Sequence, residues 1–232
     1  MRLDAGPGVV PAQLVRGGTV RDDVVCVPVG GAVRGLMGAA RDLRVGPLTP
    51  ERWPDLEALF GRSGASYGCW CMFFRRSSTE MARAKSADNR AALRALAGAE
   101  PAPGLLAYDG DEPVGWVGLG PRSGFERLVR SRFLAPVGDL PAWSIVCFYV
   151  ARRRRGQGVA RALLDGAVAY AREHGAPAVE GYARDPGDRR LSADGAYTGT
   201  VSIFRAEGFR EAAVAQPPGG GTPRVTMRLE FP

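Results

Sequence analysis

One stretch of this sequence constrains the fold more than any other: WSIVCFYV at Trp143–Val150, then ARRRRGQG, then VARALLDGAVAYARE. Eight almost wholly apolar residues suit a central strand covered on both faces. In the last segment Ala160, Leu163, Leu164, Ala167, Val168 and Ala171 recur at offsets of 3, 4, 7, 8 and 11, the spacing of a one-faced helix. A buried strand feeding an amphipathic helix through a glycine-containing turn places the chain in the layered α/β class.

The flanking sequence continues the alternation. Asp42 to Leu48 reads as a strand, and Thr49 stands as N-cap before Pro50 and Glu51 of a helix running to about Phe60. Residues 63–79 form an aromatic, cysteine-rich connection, and Ser86 to Leu96 reads as helix. Leu105 to Tyr108 and Pro113 to Gly120 flank a hairpin turn at Asp109–Gly110. Gly175 and Pro177 end the long helix, Ala178 to Ala183 is a further strand, and residues 184–199 form a polar loop. Val201 to Glu207 is a short helix stopped by Gly208. Arg210–Val214 and Arg224–Phe231 would pair as a final antiparallel hairpin. Residues 1–40 mix Gly, Val and Arg without a stable period. The expectation is an N-terminal extension over 1–40 and one domain over 41–232, with residues 1–36 an appendage upstream of a candidate start at Met37.

Composition excludes several classes. The 232 residues suit one domain plus an extension. No apolar run approaches the ~18–20 residues that cross a bilayer, so no membrane partner is expected. The chain carries 31 basic and 24 acidic residues, net +7, with Lys85 the single lysine. Apart from Arg152–Arg155 the arginines are scattered rather than gathered into a stripe, which argues against nucleic acid as a partner. Four cysteines are too sparse for a disulfide scaffold, and the Met1 segment lacks the apolar core of a signal peptide. The expected compartment is the cytoplasm. Cys69 and Cys71 with the lone, distant His174 fall short of a four-ligand zinc site.

Glycines 156 and 158 lie where the long helix begins. Amides in a first helical turn have no intrahelical partner, and the helix dipole adds partial positive charge there. Gly removes the Cβ that would hold a phosphate away, so the turn is an anion cradle suited to a diphosphate, with Arg155 adding charge-assisted contacts. The segment lacks the Lys and the spacing of a nucleoside-triphosphate loop, and Arg161 stands where a dinucleotide fingerprint needs glycine. What remains is the pattern [Q/R]xxGx[G/A], met by Arg155, Gly158 and Ala160. This resembles the acetyl-CoA-binding motif of the GNAT superfamily of N-acetyltransferases. IFRAEGF, Ile203 to Phe209, is similar to the short helix and Gly-Phe that commonly close such chains.

The resemblance implies a mixed, mainly antiparallel twisted sheet flanked by helices, with two central parallel strands that splay apart. It implies acetyl-CoA as co-substrate, its pyrophosphate on the amides of Arg155, Gly156, Gln157, Gly158, Val159, Ala160 and Arg161. The pantetheine arm would pair with main-chain groups of Phe148, Tyr149 and Val150. The acetyl group would pass directly to a primary amine, on a small molecule or on a peptide or protein, and a homodimer is compatible with the superfamily.

Glu180 and Tyr182, two apart on one strand, share a face and are candidates for base and acid. Phe204 occupies the position where many members carry the acid tyrosine, which makes Tyr197 an alternative acid. Trp70, Phe73 and Phe74 fall where these folds build the acceptor pocket and would form an aromatic wall. Two rivals stand beside this reading: a CoA-binding regulatory module without turnover, and an arginine-rich nucleic-acid-binding protein.

Overall fold

A computed structural model describes residues 43–187, 191–192, 195–217 and 221–232. The expected extension, and Cys26 with it, lies outside the described residues. Seven strands form one sheet in the order β1-β2-β3-β4-β5-β7-β6. They are β1 (Leu43–Pro47), β2 (Gly104–Asp109), β3 (Glu112–Pro121), β4 (Trp143–Val150), β5 (Ala178–Arg184), β6 (Arg210–Ala215) and β7 (Arg224–Glu230). Among the strands of the described residues β4 and β5 alone pair in parallel, and the other five pairings are antiparallel. The expected mixed, mainly antiparallel sheet is therefore present.

The helices are α1 (Trp53–Phe60), α2 (Ser78–Arg83), α3 (Ser86–Leu96), α4 (Glu126–Val129), α5 (Val159–Glu173) and α6 (Val201–Ala206). α5 lays its apolar stripe on one face of the sheet, where Leu163, Leu164, Ala167 and Ala171 are buried with Val114, Val117, Val179 and Ala183. Each such leucine withdrawn from water contributes ~1.5–3 kcal/mol. On the opposite face α1, α3 and the 61–77 connection bury Trp53, Phe60, Trp70 and Leu93 against Trp116 and Cys147. A third cluster beside it joins Phe74, Phe125, Leu128 and Tyr182.

Two local expectations change. Thr49 is not the cap of α1: its carbonyl accepts the Arg52 amide in a preceding turn, and the helix begins at Trp53 with Arg52 in the cap position. The reason is that Pro50 and Pro54 each lack an amide, so the chain takes one turn before a regular helix can start. The connection after Ser63 contains α2, whose capping box is Ser77 with Glu80 and whose residues are all exposed or half-buried. A helix without a buried stripe leaves no apolar period to read in the sequence.

Candidate functional site

β4 and β5 are in register only from Trp143 to Ile145 against Val179 to Gly181. Beyond that point they separate, so one end of the pair is closed and the other open. A bulge assists the divergence: β3 pairs Gly118 with Cys147 and Leu119 with Ile145, leaving Val146 as the extra residue on β4. Such a residue bends its strand and re-aims the side chains beyond it.

The open end is flanked by the turn into α5. Gly156 and Gly158 have φ of 73° and 83°, and a Cβ on either would meet nothing within 4 Å. Their positive φ is the left-handed region that glycine enters without steric cost, and the space beside them is open. Among the described residues, the amides from Arg155 to Arg161 find no protein acceptor. These features fit a diphosphate, which needs several convergent N–H donors at a helix start. The four-arginine run divides in function. Arg154 is a strut, bonded to Asp109 at 2.7 Å and to Glu112, whereas Arg152, Arg153 and Arg155 are exposed. Arg155 also donates through Nε to the carbonyl of Val150 at 3.2 Å, and Arg161 pairs with Glu207 at 2.6 Å.

The main chain of β4 differs from expectation. Ala151 donates its amide to Val114 on β3. By strand alternation the groups of Tyr149 also face β3, while those of Phe148 and Val150 face the gap. The Phe148 amide is already engaged, donating to the Tyr197 carbonyl at 2.6 Å. Val150 is thus the residue of the three whose amide faces the gap without a protein acceptor among the described contacts.

Glu180 and Tyr182 do share a face, and they lie at the closed end. Glu180, 1% exposed, sits between Arg228 (Oε1 at 2.7 Å) and Arg122 (Oε2 at 3.6 Å). The hydroxyl of Tyr182, a fully buried residue, accepts from Arg122 at 2.6 Å and meets the Ser144 hydroxyl at 2.8 Å. Arg122 continues to the carbonyls of Leu128 and Leu134, and Arg228 to the carbonyl of Leu140 and to Glu230. Burial pushes the Tyr182 phenol well above its usual range. Among the described residues the side chains of Glu180, Tyr182, Ser144, Arg122 and Arg228 all have partners, and Glu230 at the edge of the network is exposed. Arg122, Ser144 and Arg228 were missed in the sequence because they stand far away in it; the period-two run Arg224, Thr226, Arg228 was the one available signal.

Tyr197 lies at the open end. It is half-buried against Phe73 and Phe74, at ring centroid distances of 6.3 and 6.5 Å. Arg224 approaches its hydroxyl at 3.5 Å. Phe73 and Phe74 thus meet Tyr197, but Trp70 does not join them. It is buried, stacks on Trp53 at 6.0 Å and donates from Nε1 to Ser86; enclosed on these sides, it belongs to the core and not to an open wall. The same connection carries positive φ at Ala65, Tyr67, Trp70 and Cys71. It brings Cys71 Sγ to 2.7 Å from Cys147 Sγ, with Trp116 Nε1 donating to Cys71. Burial pushes the Cys71 thiol up, while the hydrogen bond from Cys71 lowers Cys147.

Phe204 explains the absent tyrosine structurally. Its ring fills the space above Gly181, where a Cβ would lie 2.2 Å from Cζ, and it packs on Phe148 and Phe209. A hydroxyl in that apolar cluster would lose its water without a replacement.

With this geometry in view, a family model described as the acetyltransferase (GNAT) family matches residues 70–191, just over half of the chain. The chain belongs to the GNAT acetyltransferase family. It is an acyltransferase, and the donor used by that family is acetyl-CoA. No curated protein matches the chain in sequence. Among solved structures, a GCN5-related N-acetyltransferase from Kribbella flavida is 18% identical with a TM-score of 0.50, covering 82% of this chain and 98% of its own. An N-acetyltransferase from Staphylococcus aureus Mu50 is 12% identical, TM-score 0.50, covering 81% and 98%. An agmatine N-acetyltransferase mutant is 13% identical, TM-score 0.50, covering 82% and 100%. At these identities the likeness concerns the GNAT fold alone.

Proposed function

We propose that this GNAT acetyltransferase moves the acetyl group of acetyl-CoA directly to a primary amine at the open end of the β4–β5 pair. The observation that carries the reading is the coincidence of the strand gap with the free amides of Arg155–Arg161. The acceptor nitrogen, as free base, attacks the thioester carbonyl carbon. An N–C bond forms, the C–S bond breaks, the nitrogen loses a proton to water in the open mouth, and the sulfur leaves as thiol. The Val150 amide is the main-chain donor for the thioester oxygen, in the manner of an oxyanion hole, and Tyr197 gives the sulfur its proton.

Glu180 and Tyr182 enter this reading as positioning groups. Both Glu180 oxygens are held by guanidinium, and a base needs a free lone pair within reach of the proton it takes. Phe73 forms the apolar side of the acceptor pocket with Tyr197, while Phe74, as buried as Trp70, backs the Tyr197 ring from the core. The acceptor is a small molecule or the amine of a peptide or protein. Free thiols at Cys69, Cys71 and Cys147 suit the cytoplasm, and among the described residues no helix is long and apolar enough to cross a membrane. Residues 41–232 are proposed as the catalytic domain. Thiol release from acetyl-CoA with a panel of amines tests the reading. Amine-dependent release supports it, and binding of acetyl-CoA without any amine-dependent release would refute it.

A further inference from the structure

Along one face of β5 and β7 three cross-strand pairs follow one another: Glu180 opposite Arg228, Tyr182 opposite Thr226, and Arg184 opposite Arg224. The first joins opposite charges at 2.7 Å. The third sets two arginines directly opposite each other, a like-charge pairing that destabilises an antiparallel pair. Among the described residues neither Arg184 nor Arg224 is paired with a carboxylate. Arg224 bonds the Thr198 hydroxyl at 3.0 Å and approaches the Tyr197 hydroxyl at 3.5 Å. Among the described residues Arg184 Nε is buried with no hydrogen-bond partner. Burial, with Arg224 beside it, pulls Arg184 below the usual arginine value.

The pair stands at the open end. The Arg184 amide donates to Gly199, in the same segment whose Tyr197 carbonyl takes the Phe148 amide. Its side chains lie on the face of Glu180 and Tyr182, whereas α5 covers the face of Val179 and Ala183. The donor's phosphates, seated on Arg155–Arg161, therefore do not supply the counter-charge that the described residues lack.

We propose that Arg184 and Arg224 hold an anionic group, a carboxylate or a phosphate, carried by the amine acceptor itself. The inference rests on the acetyl-transfer reading and adds a substrate class to it. Two guanidiniums converging on one anion make short, charge-assisted bonds. Fixing the anion also fixes where the acceptor's nitrogen sits beside Tyr197, an orientation that lowers the entropic part of the barrier. A neutral analogue would leave the two arginines uncompensated, so it should be rejected.

The test uses matched probes: L-phenylalanine against L-phenylalaninamide, and phosphoethanolamine against ethanolamine. Acetyl transfer is read as thiol release, and binding separately as thermal upshift in the presence of CoA, so the preference stays readable without turnover. The anionic member of at least one pair is expected to show a KM, or a concentration for half-maximal upshift, about tenfold lower than its neutral partner. Which pair responds distinguishes carboxylate from phosphate. Arg184→Gln and Arg224→Gln should erase the difference, and the exposed Arg130→Gln should keep it. Equal behaviour of both members in both pairs, or a preference that survives both substitutions, would overturn the inference. Failure of the acetyl-transfer reading looks different, as anion preference in the upshift with no thiol release from any amine.

Discussion

The closed and open ends of the β4–β5 pair carry the same kinds of residue and put them to different uses. At the closed end Glu180, Arg228, Arg122, Tyr182 and Ser144 satisfy one another away from solvent. At the open end, among the described residues, Arg184 and Arg224 face each other without a carboxylate, and the amides of Arg155–Arg161 point at no protein acceptor. A buried network with every bond made holds a fold in place. Unspent donors beside a gap are what a ligand completes. The position of a polar residue relative to the divergence point, more than its identity, separates the satisfied network from the proposed site.

The largest effect should come from breaking the closed end. Glu180→Gln removes the charge between two buried guanidiniums and should cost ~3–5 kcal/mol of stability, seen as a lower denaturant midpoint. If stability were kept while the pH–rate profile moved, Glu180 would be the base and the division between the two ends would fail. Next, Gly158→Glu places a carboxylate at the proposed diphosphate seat, and acetyl-CoA binding by calorimetry should weaken about 100-fold, ~2.7 kcal/mol. Gly158→Ala serves as control for the left-handed backbone, at ~1–2 kcal/mol; equal donor binding by Glu and Ala variants would remove the phosphate seat from the α5 turn.

Tyr197→Phe tests the open end more finely. A lost acid should reduce kcat about tenfold, below the usual range because a thiolate leaves readily, with KM for acetyl-CoA unchanged. A rise in KM alone would make Tyr197 a binding residue only. The smallest effect concerns the α5–α6 contact. Burial, with the neighbouring Glu207 carboxyl, raises Asp165 to about 7. The folded state then holds a proton that the unfolded chain releases near pH 4, so stability from this group is full below pH 4 and declines as pH rises to 7. Asp165→Asn should flatten the difference in Tm between pH 5 and pH 8; an unaltered difference would show that Asp165 does not hold that proton.

Much of the fold was legible because it is written in short-range periods. The apolar run at 143–150, the offsets of α5, the Ser86–Leu96 helix and the Asp109–Gly110 turn all reappear within a residue or two. The glycine turn into α5 was legible too, since the left-handed φ of Gly156 and Gly158 is a local steric matter. What could not be read was set by strand pairing. The sequence reads as loop after Ala183, yet Arg184 is the last residue of the strand and faces Arg224.

The sequence alone determined that a buried strand, a glycine turn and a one-faced helix follow each other, because backbone sterics and hydrophobic periodicity act over a few residues. Only the tertiary structure decided that Glu180 is locked between Arg122 and Arg228, that Trp70 belongs to the core, and that the Tyr197 carbonyl takes the Phe148 amide. Those outcomes depend on which strands become neighbours and where they part. Charges and hydrogen bonds act through space, so partners dozens of residues apart are invisible until the sheet brings them together.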